Sequence, residues 1–222
     1  LYKKTGNIAR LTFNKPEKMN AFTFVGRGED AQEIFHALKD AADDDDIKVV
    51  ILKGSGRAFN VGNDLTKVGF VYGMGTRKDE RKPSQRIRLK IDREGLQEDA
   101  LKILYHPKIT ICQVHGYCLG WGPVTALQCD LAIAAEDAQI GFTEQRLGFA
   151  GVSRAFVMLI HAVGLKRARE LLLSGRMISG KEAAEIGLVN KAVPPDKLEE
   201  EVEKTAQAMC LLPRDGIAIG KA

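Results

Sequence analysis

No apolar run in this chain approaches the roughly 20 residues needed to span a bilayer, and the start, Leu1-Tyr-Lys-Lys-Thr-Gly-Asn, carries no signal-peptide core. The expectation is a chain that contacts no membrane and resides in the cytoplasm or an organelle matrix. Cysteine is sparse as well. Cys112, Cys118, Cys129 and Cys210 lack CxxC spacing and sit mostly in apolar surroundings. That excludes a zinc-ribbon pattern and makes reduced core thiols, with no metal, the expectation. Neither GxxxxGK[ST] nor GxGxxG occurs, so Gly54-Ser-Gly56 is a weak nucleotide loop. An RNA-binding aromatic signature is also missing.

What remains is ordinary globular material. At 222 residues, with 45% hydrophobic and 28% charged side chains, the chain suffices for one large domain or a domain with a small appendage. Its net charge of +4 is unevenly spread. Arg77, Lys78, Arg81, Lys82, Arg86, Arg88 and Lys90 face only Asp79 and Glu80. Such a cluster attracts phosphates on a nucleotide-bearing cofactor or nucleic acid, or forms the solvated face of a helix. The solvated face is the reading adopted, and nucleic acid is not the expected partner.

The stretch 115–130, His-Gly-Tyr-Cys-Leu-Gly-Trp-Gly-Pro-Val-Thr-Ala-Leu-Gln-Cys-Asp, organises the rest. An apolar run, Ile109 to Val114, leads into glycines 116, 120 and 122 and then into a helix start at Pro123, where a missing N–H costs nothing. Glycines admit close backbone approach, and a helix start offers amides to a negative oxygen. Any buried strand-to-helix turn has the same needs, so the stretch requires a partner elsewhere. A second glycine-rich passage, 53–65, follows the β-branched run 47–52, the kind buried on both faces of a parallel sheet.

Around these lie a strand at 8–13 and a helix from Phe24 or Glu29 to Ala42. Asp43-Asp44-Asp45-Asp46 reads as a solvated turn rather than a metal site. A helix is expected over 84–105 and a strand over 130–134. Helices follow, from 154 to 163, over 168–173 and over 181–186, and one capped by Asp196 runs to about 212. Strands alternating with helices, then helices alone, argue for an α/β core with a helical C-terminal part. Glu144 stands among Phe142, Leu147 and Phe149. It is either a surface residue beside a core stripe or a desolvated acid/base with a raised pKa. His115 falls at the turn as a hydrogen-bonded residue or a base, the former preferred, and His106 and His161 show no partner.

Taken together, these passages resemble the crotonase superfamily, the enoyl-CoA hydratase/isomerase family. The carriers are Ile8-Ala-Arg-Leu-Thr-Phe-Asn-Lys-Pro-Glu-Lys-Met-Asn-Ala, Gly56-Arg-Ala-Phe-Asn-Val-Gly-Asn-Asp-Leu, His115-Gly-Tyr-Cys-Leu-Gly-Trp-Gly, Cys129-Asp-Leu-Ala-Ile-Ala and Leu173-Ser-Gly-Arg-Met-Ile-Ser-Gly-Lys-Glu-Ala-Ala-Glu-Ile-Gly-Leu-Val-Asn. The resemblance implies an α/β spiral of repeated β-β-α units over 1–190. It also implies the start of a helical trimerisation region over 191–222, in a homotrimer or dimer of trimers. The implied substrate is an acyl-CoA thioester, so coenzyme A arrives with the substrate and no separate cofactor is needed. The thioester enolate oxygen would be held by the backbone amides of Asn63 and Trp121. Lys18, Met19, Ala58 and Asn60 match the coenzyme-lining positions, and Gly62, Gly120 and Val124 the acyl pocket.

Glu144 matches the second of the two glutamates that hydratases use. The first is Val124 here, which can neither activate water nor move a proton. Trp121 replaces a small glycine, and its indole must occupy or border the acyl pocket. Pro123 also departs from the pattern. These departures favour a single-glutamate acid/base, with enoyl-CoA isomerisation first. Hydration, or hydrolysis or decarboxylation of an unusual acyl-CoA, comes next, and a non-catalytic or RNA-binding role comes from another class.

Overall fold

The computed structural model describes residues 1–22, 29–68, 84, 86, 98–148 and 153–221. Two sheets divide the strands between them. The larger, in order β1-β2-β3-β5-β7-β10, comprises β1 (Tyr2–Thr5), β2 (Ile8–Phe13), β3 (Val49–Gly54), β5 (Ile109–Val114), β7 (Leu131–Ala135) and β10 (Lys191–Val193). The smaller, in order β4-β6-β8-β9, comprises β4 (Ala58–Asn60), β6 (Tyr117–Leu119), β8 (Gln139–Gly141) and β9 (Ile178–Ser179). Among the described strands, only the β1–β2 and β8–β9 pairs are antiparallel.

The larger sheet forms where apolar residues run without alternation. Val49, Val50, Ile51 and Leu52 are all buried, as are Ile109, Thr110, Ile111 and Cys112, the pattern of strands covered on both faces. Register sets Ile51 against Ile111, and Ile111 against Leu131. Between the strands run α1 (Glu29–Asp43), α2 (Leu65–Val68), α3 (Glu98–Leu104), α4 (Trp121–Gln128), α5 (Ser153–Val163), α6 (Leu165–Ser174) and α7 (Gly180–Glu185), and α8 (Leu198–Cys210) and α9 (Arg214–Lys221) follow β10. Helix α8 lies across β3, β5 and β7 and buries Leu198, Val202 and Ala206.

Each winding of the chain gives one strand to each sheet: β3 then β4, β5 then β6, β7 then β8. The crossings are tight. Gly116 has φ +52, and a β-carbon there would collide with the Arg57 carbonyl of the preceding winding. Main-chain bonds lock the windings together, with Phe59 N–H donating to His115 O at 3.0 Å and Gln139 N–H to Gly116 O at 2.8 Å. This is the α/β spiral that the family resemblance implies.

Several sequence expectations shift. Strand β6 sits inside the stretch read as a plain turn, too short at three residues to show alternation. Strand β1 was not foreseen. The sheet also continues past the boundary expected at 190/191, because β10 pairs in parallel with β7. Asp196 does not cap α8: it lies in a 3₁₀ turn, Pro195–Lys197, and no side chain caps the helix. Of the helix expected over 84–105, α3 is the described part, and most of the basic 77–90 cluster lies outside the described residues. The four cysteines are free, three of them buried. No helix among the described residues is long and apolar enough to cross a membrane.

Candidate active site

The carboxyl ends of β4, β6 and β8 lie side by side, because the three strands pair in parallel, Ala58 against Tyr117 and Leu119 against Gly141. Within three residues of each end comes a candidate group: Gly62 and Asn63 after β4, Gly120 and Trp121 after β6, Glu144 after β8. Short strands therefore bring together residues more than 80 positions apart in sequence.

Asn63 is oriented by its neighbours. It forms an isolated parallel bridge with Phe22, in which Phe22 N–H donates to Gly62 O at 3.0 Å and Asp64 N–H to Phe22 O at 2.9 Å. Successive amides of an extended segment alternate sides, so the Asn63 N–H points away from Phe22. The 61–62 segment is in contact with the 120–121 segment. A β-carbon on Gly62 (φ +87) would lie 2.8 Å from Trp121 N, and one on Gly120 (φ +57) would lie 3.4 Å from Val61 O. Gly120, at ψ −108, turns β6 into α4, so Trp121 is the first helical residue and its amide lies at the positive end of the helix.

Helix α4 is a core helix. Trp121, Gly122, Pro123, Val124, Thr125, Ala126 and Gln128 are all buried, and Pro123 stands in the first turn as its chemistry requires. The Trp121 indole is only 3% exposed, within the hydrophobic core. Val124, at 1%, is an aliphatic residue enclosed in the same helix.

Glu144 opens a 3₁₀ turn, Glu144–Leu147. Its Oε2 is buried with no hydrogen-bond partner, and burial pushes its pKa above the usual carboxylate value despite a bond to its own backbone. Of the two sequence readings, this burial matches the desolvated carboxyl rather than the surface residue. A β-carbon at Gly120 would lie 3.8 Å from Glu144 Oε1. The glycine leaves room for the carboxyl beside the first turn of α4. The structure thus brings the Gly62–Asn63 main chain, the first turn of α4 and the Glu144 carboxyl to one place.

The residues matched to the coenzyme separate into two kinds. Lys18 ends the 3₁₀ turn Pro16–Lys18, half-exposed, with Nζ 2.7 Å from Asp64 Oδ2. Met19 follows at φ 51, partly exposed. The Ala58 and Asn60 side chains are wholly enclosed, and Asn60 spends its amide internally, donating to Asn20 O at 2.5 Å and accepting from Gly62 N–H at 2.8 Å. Neither side chain is open to a ligand, and Asn60 instead ties the Asn20 and Gly62 main chain together.

Sequence reasoning missed Asn20 and Asp64. Asp64 accepts from Thr66 N–H at 3.0 Å and from Lys18 at 2.7 Å, and so ties the start of α2 to the Lys18 turn. The Asn-Asp pair after Gly62 was a cap signal that could have revealed it. His115 Nε2 lies 3.0 Å from Gly56 O, the turn role preferred for it. His106 does have partners: Nδ1 accepts from Lys108 N–H at 3.2 Å and Nε2 lies 2.9 Å from Leu38 O.

Comparison with known proteins gives a consistent result. The family described as enoyl-CoA hydratase/isomerase matches residues 3–221. A curated relative from Thermus thermophilus, named "Putative enoyl-CoA hydratase", is 34% identical over 202 residues, covering 91% of this chain and 74% of the relative. An enoyl-CoA hydratase structure from Mycobacterium smegmatis superposes with a TM-score of 0.85 at 29% identity, covering 100% of this chain and 80% of the other. One from Bacillus anthracis gives 0.84 at 26% identity with the same coverages.

Proposed function

The chain belongs to the enoyl-CoA hydratase/isomerase family, and we propose that within it this enzyme moves double bonds in acyl-CoA thioesters with Glu144 as its sole acid/base. The thioester carbonyl oxygen sits between the Asn63 and Trp121 amides. Glu144 removes a proton from C2 of a 3-enoyl-CoA, and the electron pair spreads onto the carbonyl oxygen as an enolate. As the enolate collapses, the C3–C4 double bond moves to C2–C3, and Glu144 returns the proton to C4. Atoms and charge balance with one carboxyl throughout.

The observation that carries this reading is the asymmetry of the walls: a Glu144 carboxyl whose Oε2 is buried without a hydrogen-bond partner and an aliphatic Val124 where water activation would need a second acid. Each oxyanion donor contributes about 3–4 kcal/mol when tested by removal, and an acid/base on the order of 10²–10⁴-fold in rate. One carboxylate with two donors is thus enough for enolate chemistry, whereas water addition lacks a group to hold and activate the water. The raised Glu144 pKa suits a group that must both take and give a proton.

Hydration is the second reading, favoured by the printed names of the relatives. Deuterium uptake and double-bond position, followed by NMR with 3-enoyl-CoA and 2-enoyl-CoA in D₂O, distinguish the two. Exchange with migration supports isomerisation, and a 3-hydroxyacyl product overturns it in favour of hydration.

A further inference from the structure

Two buried asparagines join the Lys18 turn to the donor strand. Asn20 is 2% exposed and Asn60 0%. Asn20 Nδ2 donates to Ser55 O at 2.9 Å and Ala58 O at 2.7 Å, while its Oδ1 accepts from Lys15 N–H at 2.8 Å. Its main-chain carbonyl takes Asn60 Nδ2 at 2.5 Å, and Asn60 Oδ1 accepts the Gly62 N–H at 2.8 Å. The connection is continuous: Lys15, Asn20, Asn60, Gly62, and then Asn63 by covalent bond. Asn20 holds this place at φ 59, a left-handed conformation that asparagine tolerates better than most residues.

Burying an amide is unfavourable unless its bonds are made, and here the donated bonds, from Asn20 and Asn60 Nδ2, cross between segments 35 to 40 residues apart. We propose that Asn20 and Asn60 are positioning residues that lock the Lys18–Met19 turn to the Asn63 donor, so that the coenzyme-facing turn and the oxyanion amide move as one body. This deepens the proposed function and rests on it for the identity of the ligand. A thioester seated on the turn then finds its carbonyl already in register with Asn63, and loosening the tie misaligns the transition state more than it weakens binding.

Asn60→Asp tests this with almost no change of shape. The carboxylate still accepts from Gly62 but cannot donate to Asn20 O. Burial raises its pKa, so protonation at lower pH restores the donor. Relative to wild type at the same pH, kcat for thioester deuterium exchange should fall on the order of 10²-fold at pH 8. KM should change less than about threefold, and the kcat ratio should recover as pH falls. Asn60→Ser, with one hydroxyl for two partners, should show the kcat loss without the recovery.

Wild-type rates in both variants overturn the proposal, as does a loss shared equally by kcat and KM with no pH recovery in Asn60→Asp. If the wild-type enzyme exchanges no thioester proton, the proposed function fails and hydrogen exchange decides the positioning role. Amides 60–64 of Asn60→Asp should then be less protected than wild type at pH 8 and match it at lower pH. Equal protection at both overturns it.

Discussion

The two sheets are made of similar residues and do different work. Strands β2, β3 and β5 of the larger sheet are six residues long, bury most of their side chains and are paired with a neighbouring strand on both sides. Strands of the smaller sheet are two or three residues long. Pairing stops almost as soon as it begins, and the chain emerges with main-chain groups and Glu144 at one edge. The larger sheet holds the windings in place, and the smaller exposes their ends. Stability and chemistry should therefore respond to different substitutions.

The sharpest test of that division is Glu144→Gln. Proton exchange should fall on the order of 10²–10⁴-fold while thioester binding, by calorimetry, stays near normal. Stability at neutral pH should rise slightly, since the ionised carboxyl is disfavoured by burial. Unchanged turnover would remove Glu144 from the mechanism. In the larger sheet, Ile111→Ala should do the reverse. Ile111 is 0% exposed at the sheet's centre, and truncation should cost about 2–5 kcal/mol in urea unfolding with kcat per folded molecule retained. A comparable loss of kcat would mean the sheets are not separable.

Gly62→Ala lies between these. Its methyl would press on Trp121 N at 2.8 Å from a left-handed backbone. The expected loss is on the order of 10²-fold in kcat with about 1–2 kcal/mol of stability. Retained kcat would show that the two amides need not be so close. The smallest effect is in pH dependence. Burial lowers the His106 pKa, outweighing its backbone bonds. A base with a depressed folded pKa contributes stability above its unfolded value of about 6.5 that is lost as pH falls below it. Glu144, an acid with a raised folded pKa, runs the other way, its burial weakening the fold as pH rises above the usual carboxylate value. His106→Gln should flatten the profile below about pH 6.5 by at most about 1.4 kcal/mol per pH unit, and Glu144→Gln should remove the decline that begins above the usual carboxylate value.

Most of the larger sheet was legible because its signal is length and burial: the 109–114 run coincides with β5, and 8–13 with β2. The smaller sheet was not. Three residues such as Tyr117, Cys118 and Leu119 carry no period, and only the preceding winding gives them a partner. Glu144 remained ambiguous because neighbouring apolar residues say nothing about which way its own carboxyl turns. Asn60, expected to line the coenzyme, has its side chain enclosed and bonded to Asn20 and Gly62, which a sequence position alone does not show. Asn20 was silent because its bonds go to carbonyls 35 or more residues away.

Helix α8 covers β3, β5 and β7 from the far end of the chain. On a ribosome adding roughly 5–20 residues per second, β5 is complete about 96 residues before α8, several seconds or more. During that interval a broad apolar sheet face lacks its lid, and β10 has yet to join β7. The nascent chain is thus most prone to aggregate in the interval between β5 and α8, when these strands exist and their cover does not.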